Sequence, residues 1–90
     1  MNREQAQTIV LGILKRIAPE ADLADLEPDV EFREQLDIDS MDYLNLILGI
    51  HQQTGIDVPE VDYAKLATLA AAVDYLVAQS VPGDVANPAG

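Results

Sequence analysis

Ninety residues with sixteen Asp and Glu against five Lys and Arg, a formal charge of -11, describe one small acidic domain with little interior to spare. The absence of Cys excludes disulfides, zinc-thiolate centres and any thiol nucleophile from the chain itself, so thiol chemistry has to come from a cofactor. No apolar run reaches the roughly 18 residues of a membrane span. The opening Met1-Asn2-Arg3-Glu4-Gln5 lacks the basic-then-apolar order of a signal peptide, and the acidic field disfavours nucleic acid and anionic membranes. A soluble cytoplasmic monomer is the expectation.

In chain order, Ala6, Ile9, Val10, Ile13, Leu14 and Ile17 fall at helical spacing and predict an amphipathic helix over 3–17, stopped by Pro19. The next 22 residues, 18–39, have no sustained period. A loop of that length is uncommon in a compact domain unless it is functional or pinned, and Leu23, Leu26, Val30, Phe32 and Leu36 are the pins. A second helix begins at Ser40 or Met41, capped by Asp39, and runs to Thr54 with Gly55 as its stop. Val58-Pro59 is extended. Residues 60–65 make a short helix or single turn, and Thr68 caps a last helix whose stripe is Leu69, Ala72, Val73, Leu76 and Val77. Residues 80–90 carry Pro, Gly and small residues and are expected to be a disordered tail, leaving 1–79 as the domain. With no alternating segment, the fold class is all-α, three main helices and a short one with a long first connection crossing the bundle.

Charge and apolar surface both concentrate near the start of the second helix. Ten of the sixteen acidic residues lie between Glu20 and Asp42, with Arg33 the one cation among them. That run either steers a basic partner or keeps the loop solvated. If Tyr43, Leu46, Ile47 and Ile50 face inward, Met41, Leu44 and Leu48 form an outward stripe, either a docking surface or the flank of a helix buried on most sides.

Ser40 stands between these features, in Leu36-Asp37-Ile38-Asp39-Ser40-Met41-Asp42. Serine attacks nothing without a base or a lowered pKa, and neither His nor Cys is near it in sequence. Two readings remain: Ser40 and Asp39 only cap the helix, or Ser40 is an acceptor hydroxyl modified by another enzyme. His51, the one His, falls on the outer face as a solvated or partner-contacting residue. Asp37, Asp39 and Asp42 do not make a calcium loop, because Met41, Asp42 and Leu48 stand where positions five, six and twelve need an oxygen ligand, Gly and Glu.

Phe32-x3-Leu36-Asp-Ile-Asp39-Ser40-Met41-Asp42, the apolar helix after it, Gly55-Ile56-Asp57-Val58-Pro59 and Leu66-Ala-Thr68-Leu69 together resemble the acyl carrier proteins across residues 3–79. That resemblance implies a four-helix carrier, not an enzyme. It implies 4'-phosphopantetheine on Ser40 through a phosphodiester, with Asp39 contacting a phosphopantetheinyl transferase and its magnesium. Acyl groups would be held as thioesters on the arm for acyl-loading and acyl-processing enzymes of lipid metabolism, as in fatty acid biosynthesis, with Met41, Asp42, Leu44, Asn45, Leu48, His51 and Gln52 at the partner surface.

Four departures mark this chain. The Gly usual before Asp-Ser is replaced, and Met41 stands where Leu is commoner. Asn45, His51 and Gln52 replace residues that are acidic in fatty-acid-synthesis carriers, which implies a specialised carrier for a lipid or secondary-metabolite pathway. Thr54 stands where many relatives have a core Phe, implying a smaller or differently shaped interior. The alternatives are a peptidyl or aminoacyl carrier, against which Asp39 argues, and a cofactor-free acidic interaction module.

Overall fold

The computed structural model describes residues 1–85, and among them the regular structure is entirely helical. Helix α1 spans Arg3–Ile17. Asn2 starts it: its side chain accepts from the Gln5 amide at 2.8 Å, and the Gln5 side chain accepts from the Asn2 amide at 2.9 Å, so two amides without intrahelical acceptors satisfy each other's side chains. Ala6, Val10, Ile13 and Leu14 are buried, with Ile9 and Ile17 at the edges of the stripe.

The connection over 18–39 is pinned at both apolar and polar points. It contains a 3-10 turn at Leu23–Asp25 and a single-turn helix, α2, at Phe32–Gln35. Phe32 is fully buried, Leu23, Leu26 and Leu36 lean on the core, and Val30 is half-buried outside that cluster. Gln35 closes the loop on itself, accepting from the Glu27 amide at 2.8 Å and donating to the Glu27 and Val30 carbonyls at 2.8 and 2.9 Å. Two backbone bonds then tie the connection to the last helix: Phe32 N–H to the Ala67 carbonyl at 2.8 Å and Ala70 N–H to that of Pro28 at 3.0 Å.

Helix α3, Ser40–Thr54, has the expected ends. Asp39 accepts from the Asp42 amide at 2.9 Å, while Asp42 accepts from the Asp39 amide at 3.3 Å. Gly55 takes φ +74° and donates its N–H to His51, a left-handed stop that residues with a Cβ rarely adopt. Leu46, Ile47 and Ile50 are buried where α3 packs on α1. A Cβ at Gly49 would lie 2.9 Å from Ile13 Cγ2, so glycine sets the approach of the two helices despite its low helix propensity. Thr54 Oγ1 donates to the Ile50 carbonyl at 2.7 Å and accepts from the Ile56 amide at 3.1 Å, which makes this half-buried position a polar staple.

A 3-10 helix at Glu60–Leu66 follows and buries Leu66. Helix α4, Leu69–Val85, begins at Thr68, whose hydroxyl accepts from the Ala71 amide at 3.0 Å. It buries Leu69, Ala72, Val73 and Leu76 and packs against α1 and the 3-10 helix. Arg3 of α1 pairs with Asp74 of α4.

At its far end α4 departs from expectation, running through residues 80–85 where the composition predicts a disordered tail. Pro82 supplies no N–H donor, so the continuation rests on the helix already nucleated before it. The remainder of the expected tail, 86–90, lies outside the described residues.

Candidate functional site

Ser40 is the first residue of α3, and the capping bonds belong to its neighbours. The carboxylates of Asp39 and Asp42 engage each other's backbone amides, so the helix start is complete without the serine hydroxyl. Ser40 is exposed, its Oγ bonds no group among the described residues, and the amides of Ser40 and Met41 are among those that a helix start leaves without an intrahelical acceptor. His51 is eleven residues further along α3, about 16 Å at the α-helical rise. Its Nδ1 lies 3.1 Å from the Ile56 carbonyl and 3.2 Å from the Asp57 carboxylate, where it braces the turn after the helix and is out of reach of Ser40 as a base.

The outward face of α3 is uncovered. Met41, Leu44 and Leu48 retain 65, 36 and 49% of their surface, which excludes a helix buried on most sides. Asn45, His51 and Gln52 are exposed on the same helix and Asp42 is half-buried, so all seven expected surface positions share one element and six of them are open to solvent. Beyond Asp42, α3 carries no carboxylate; the acidic charge sits in the preceding connection.

Beside Ser40 lies a cleft of about 460 Å³, whose walls are Tyr43 and Leu44 of α3, Tyr63 and Ala64 of the 3-10 helix, and Ala67, with Glu31 and Arg33 from the end of the connection. Two bonds hold its far wall. Tyr43 Oη donates to the Tyr63 carbonyl oxygen, and Tyr75 Oη of α4 donates to Asp62 at 2.8 Å. Burial raises the pKa of Tyr43, and the Glu31 charge adds to the rise while a backbone bond and Arg33 oppose it. Burial, then the bond and charge of Asp62, push Tyr75 up to about 12. Asp62 is lowered, first by the Tyr75 bond and then by Lys65, whose Nζ lies 3.1 Å away.

Sequence reasoning missed this cleft and the Gln35 staple in the connection that leads to it. Arg33 had a visible signal, as the lone cation of an acidic run. Gln35 had none, since its partners are backbone groups five and eight residues away.

A helical bundle with a long pinned connection and a free serine at an exposed helix start is the architecture of a carrier domain. Residues 7–76 match the family model described as phosphopantetheine attachment site. The chain is 36% identical over 56 residues to the acyl carrier protein of Rubrobacter xylanophilus, covering 62% of this chain and 69% of the relative. It superposes on the solved acyl carrier protein from Enterococcus faecalis with a TM-score of 0.72 at 25% identity, over 89% of this chain and 100% of that one. The chain therefore belongs to the phosphopantetheine-attachment family, as an acyl carrier protein. It is a carrier and not an enzyme, its cofactor is a covalently attached phosphopantetheine, and such carriers work with a phosphopantetheinyl transferase and acyl-processing enzymes.

Proposed function

We propose that Ser40 is the attachment residue and that the protein is a specialised cytoplasmic acyl carrier. One observation carries the assignment: Ser40 is the single serine within residues 7–76, and its hydroxyl is exposed and unengaged. The threonine hydroxyls of that segment are committed to the Glu4 and Ile50 carbonyls or to the Ile56 and Ala71 amides, and Ser80, outside it, bonds Val77. The fit to the prosthetic group is chemical as well. An exposed oxygen on a rigid element can take a phosphodiester, an open cleft with apolar walls adjoins it, and Arg33 lines the same cleft.

When bound, the group supplies the thiol that the chain lacks. The chain's own residues do the rest. Asp39 locks the helix start so that Ser40 is held at one place, and it faces the modifying enzyme with its magnesium. Met41, Leu44 and Leu48 offer apolar contact to enzymes that handle the acyl thioester, with Asp42, Asn45, His51 and Gln52 around them. Neutral residues at 45 and 52 and an imidazole at 51 fit a dedicated lipid or secondary-metabolite pathway better than general fatty acid synthesis. Tethering the acyl group raises its effective concentration at each docked enzyme without new contacts.

Incubating the purified protein with coenzyme A and a broad-specificity phosphopantetheinyl transferase tests the assignment. Intact mass should rise by one phosphopantetheine, peptide mapping should place it on Ser40, and Ser40→Ala should abolish it while the circular dichroism spectrum stays helical. No conversion, or a label elsewhere, overturns the assignment. Loading with acyl against aminoacyl groups then separates an acyl from a peptidyl carrier.

A further inference from the structure

Arg33 is held where a cation is least expected and most needed. It follows Phe32, which is fully buried and tied through its amide to the Ala67 carbonyl at 2.8 Å. Two residues on, Gln35 makes its three bonds back into the connection. The backbone of α2 is thereby fixed, and Arg33 lines the cleft that Ser40 also lines. Ten carboxylates share its stretch of sequence, yet its guanidinium makes no hydrogen bond or ion pair among the described residues. By contrast, Arg3 is paired with Asp74 and Lys65 with Asp62.

We infer that Arg33 is a positioning residue for the phosphodiester of the arm on Ser40, holding the base of the arm at the mouth of the cleft formed by Tyr43, Leu44 and Tyr63. This rests on the attachment assignment above. A phosphodiester adds a negative charge to a segment that already carries -9, given by ten acids and one base. A planar guanidinium answers it with paired donors matched to two phosphate oxygens. The charge of Arg33 is felt at the Tyr43 phenol, consistent with a guanidinium near the cleft wall. Held at its base, the arm would start on the cleft side of α3 and leave Met41 and Leu48 free for a docked enzyme.

The test uses the full chain before and after conversion with coenzyme A and transferase, with mass confirming one group on Ser40. Of the three arginine Nε–H signals in the nitrogen-proton spectrum, that of Arg33 should shift on conversion while those of Arg3 and Arg16 stay put. The phosphorus resonance of the arm should move in Arg33→Gln and return toward its wild-type position in Arg33→Lys, which keeps the charge. Conversion should also lower the melting temperature more in Arg33→Gln than in wild type. An unmoved Arg33 signal together with an unchanged phosphorus resonance in Arg33→Gln, in protein fully converted at Ser40, overturns the inference and leaves the attachment intact. Failure to convert Ser40 overturns both.

Discussion

The two faces of α3 are built from the same kinds of residue and have opposite fates. Leu46, Ile47 and Ile50 keep at most 3% of their surface, whereas Met41, Leu44 and Leu48 keep 36% or more. Inward, α1 approaches so closely that Gly49 has no room for a side chain. Outward, no element among the described residues covers the stripe. The long connection is stapled elsewhere, to Ala67 and Ala70 at the start of α4. Apolarity alone therefore does not say which leucines hold the fold and which are offered to a partner.

The widest gap between the faces should appear on truncating one leucine from each. Leu46→Ala should destabilise by ~2–5 kcal/mol through lost burial and a residual cavity, while Leu48→Ala should stay within about 0.5 kcal/mol of wild type, both read from urea midpoints. Comparable losses from the two would erase the distinction. The glycines sharpen it. Alanine at 49 must displace Ile13, and overpacking of about 1–3 kcal/mol outweighs the ~1 kcal/mol of helix propensity gained. At Gly12 nothing lies within 4 Å of the added Cβ, so Gly12→Ala should gain about 0.5–1 kcal/mol.

A smaller effect tests the cleft wall beside the outward face. Tyr75 has its folded pKa raised to about 12 from its ordinary value of 10.0, so the unfolded chain loses that proton first as pH rises. Its contribution is complete below pH 10 and disappears as pH climbs toward 12. Asp62 has the opposite sense, with a folded pKa below its ordinary value of 3.8; its contribution is present above that value and fades as the solution is acidified through the folded pKa. Melting temperatures across both windows should decline in wild type, and Tyr75→Phe should flatten the alkaline limb.

Legibility in the sequence followed the range of the interactions. Asp39, Gly55 and Thr68 bond within four residues of themselves, so the ends of α3 and the start of α4 could be read residue by residue. The stripe of α1 was equally plain, because a 3.6-residue period is visible in any apolar list. The serine was conspicuous for its neighbours, but whether it capped the helix or stood free depended on which oxygen reached which amide. Helix α4 runs past Pro82 and Gly83 to Val85, residue types whose effect depends on the helix they extend.

By itself the amino-acid order determined that this chain is helical, acidic, without sulfur nucleophiles, and marked at Ser40, since propensity, capping and charge are local properties. Only the tertiary structure decided that the Met41, Leu44 and Leu48 stripe stays open, that Gln35 and Phe32 fix the long connection, and that Arg33 shares a cleft with Ser40. Those outcomes arise from contacts across segments, Phe32 with Ala67 and the cleft wall with Tyr63, or from side chains folding back on distant backbone groups, as Gln35 does, and no helical period or cap encodes them.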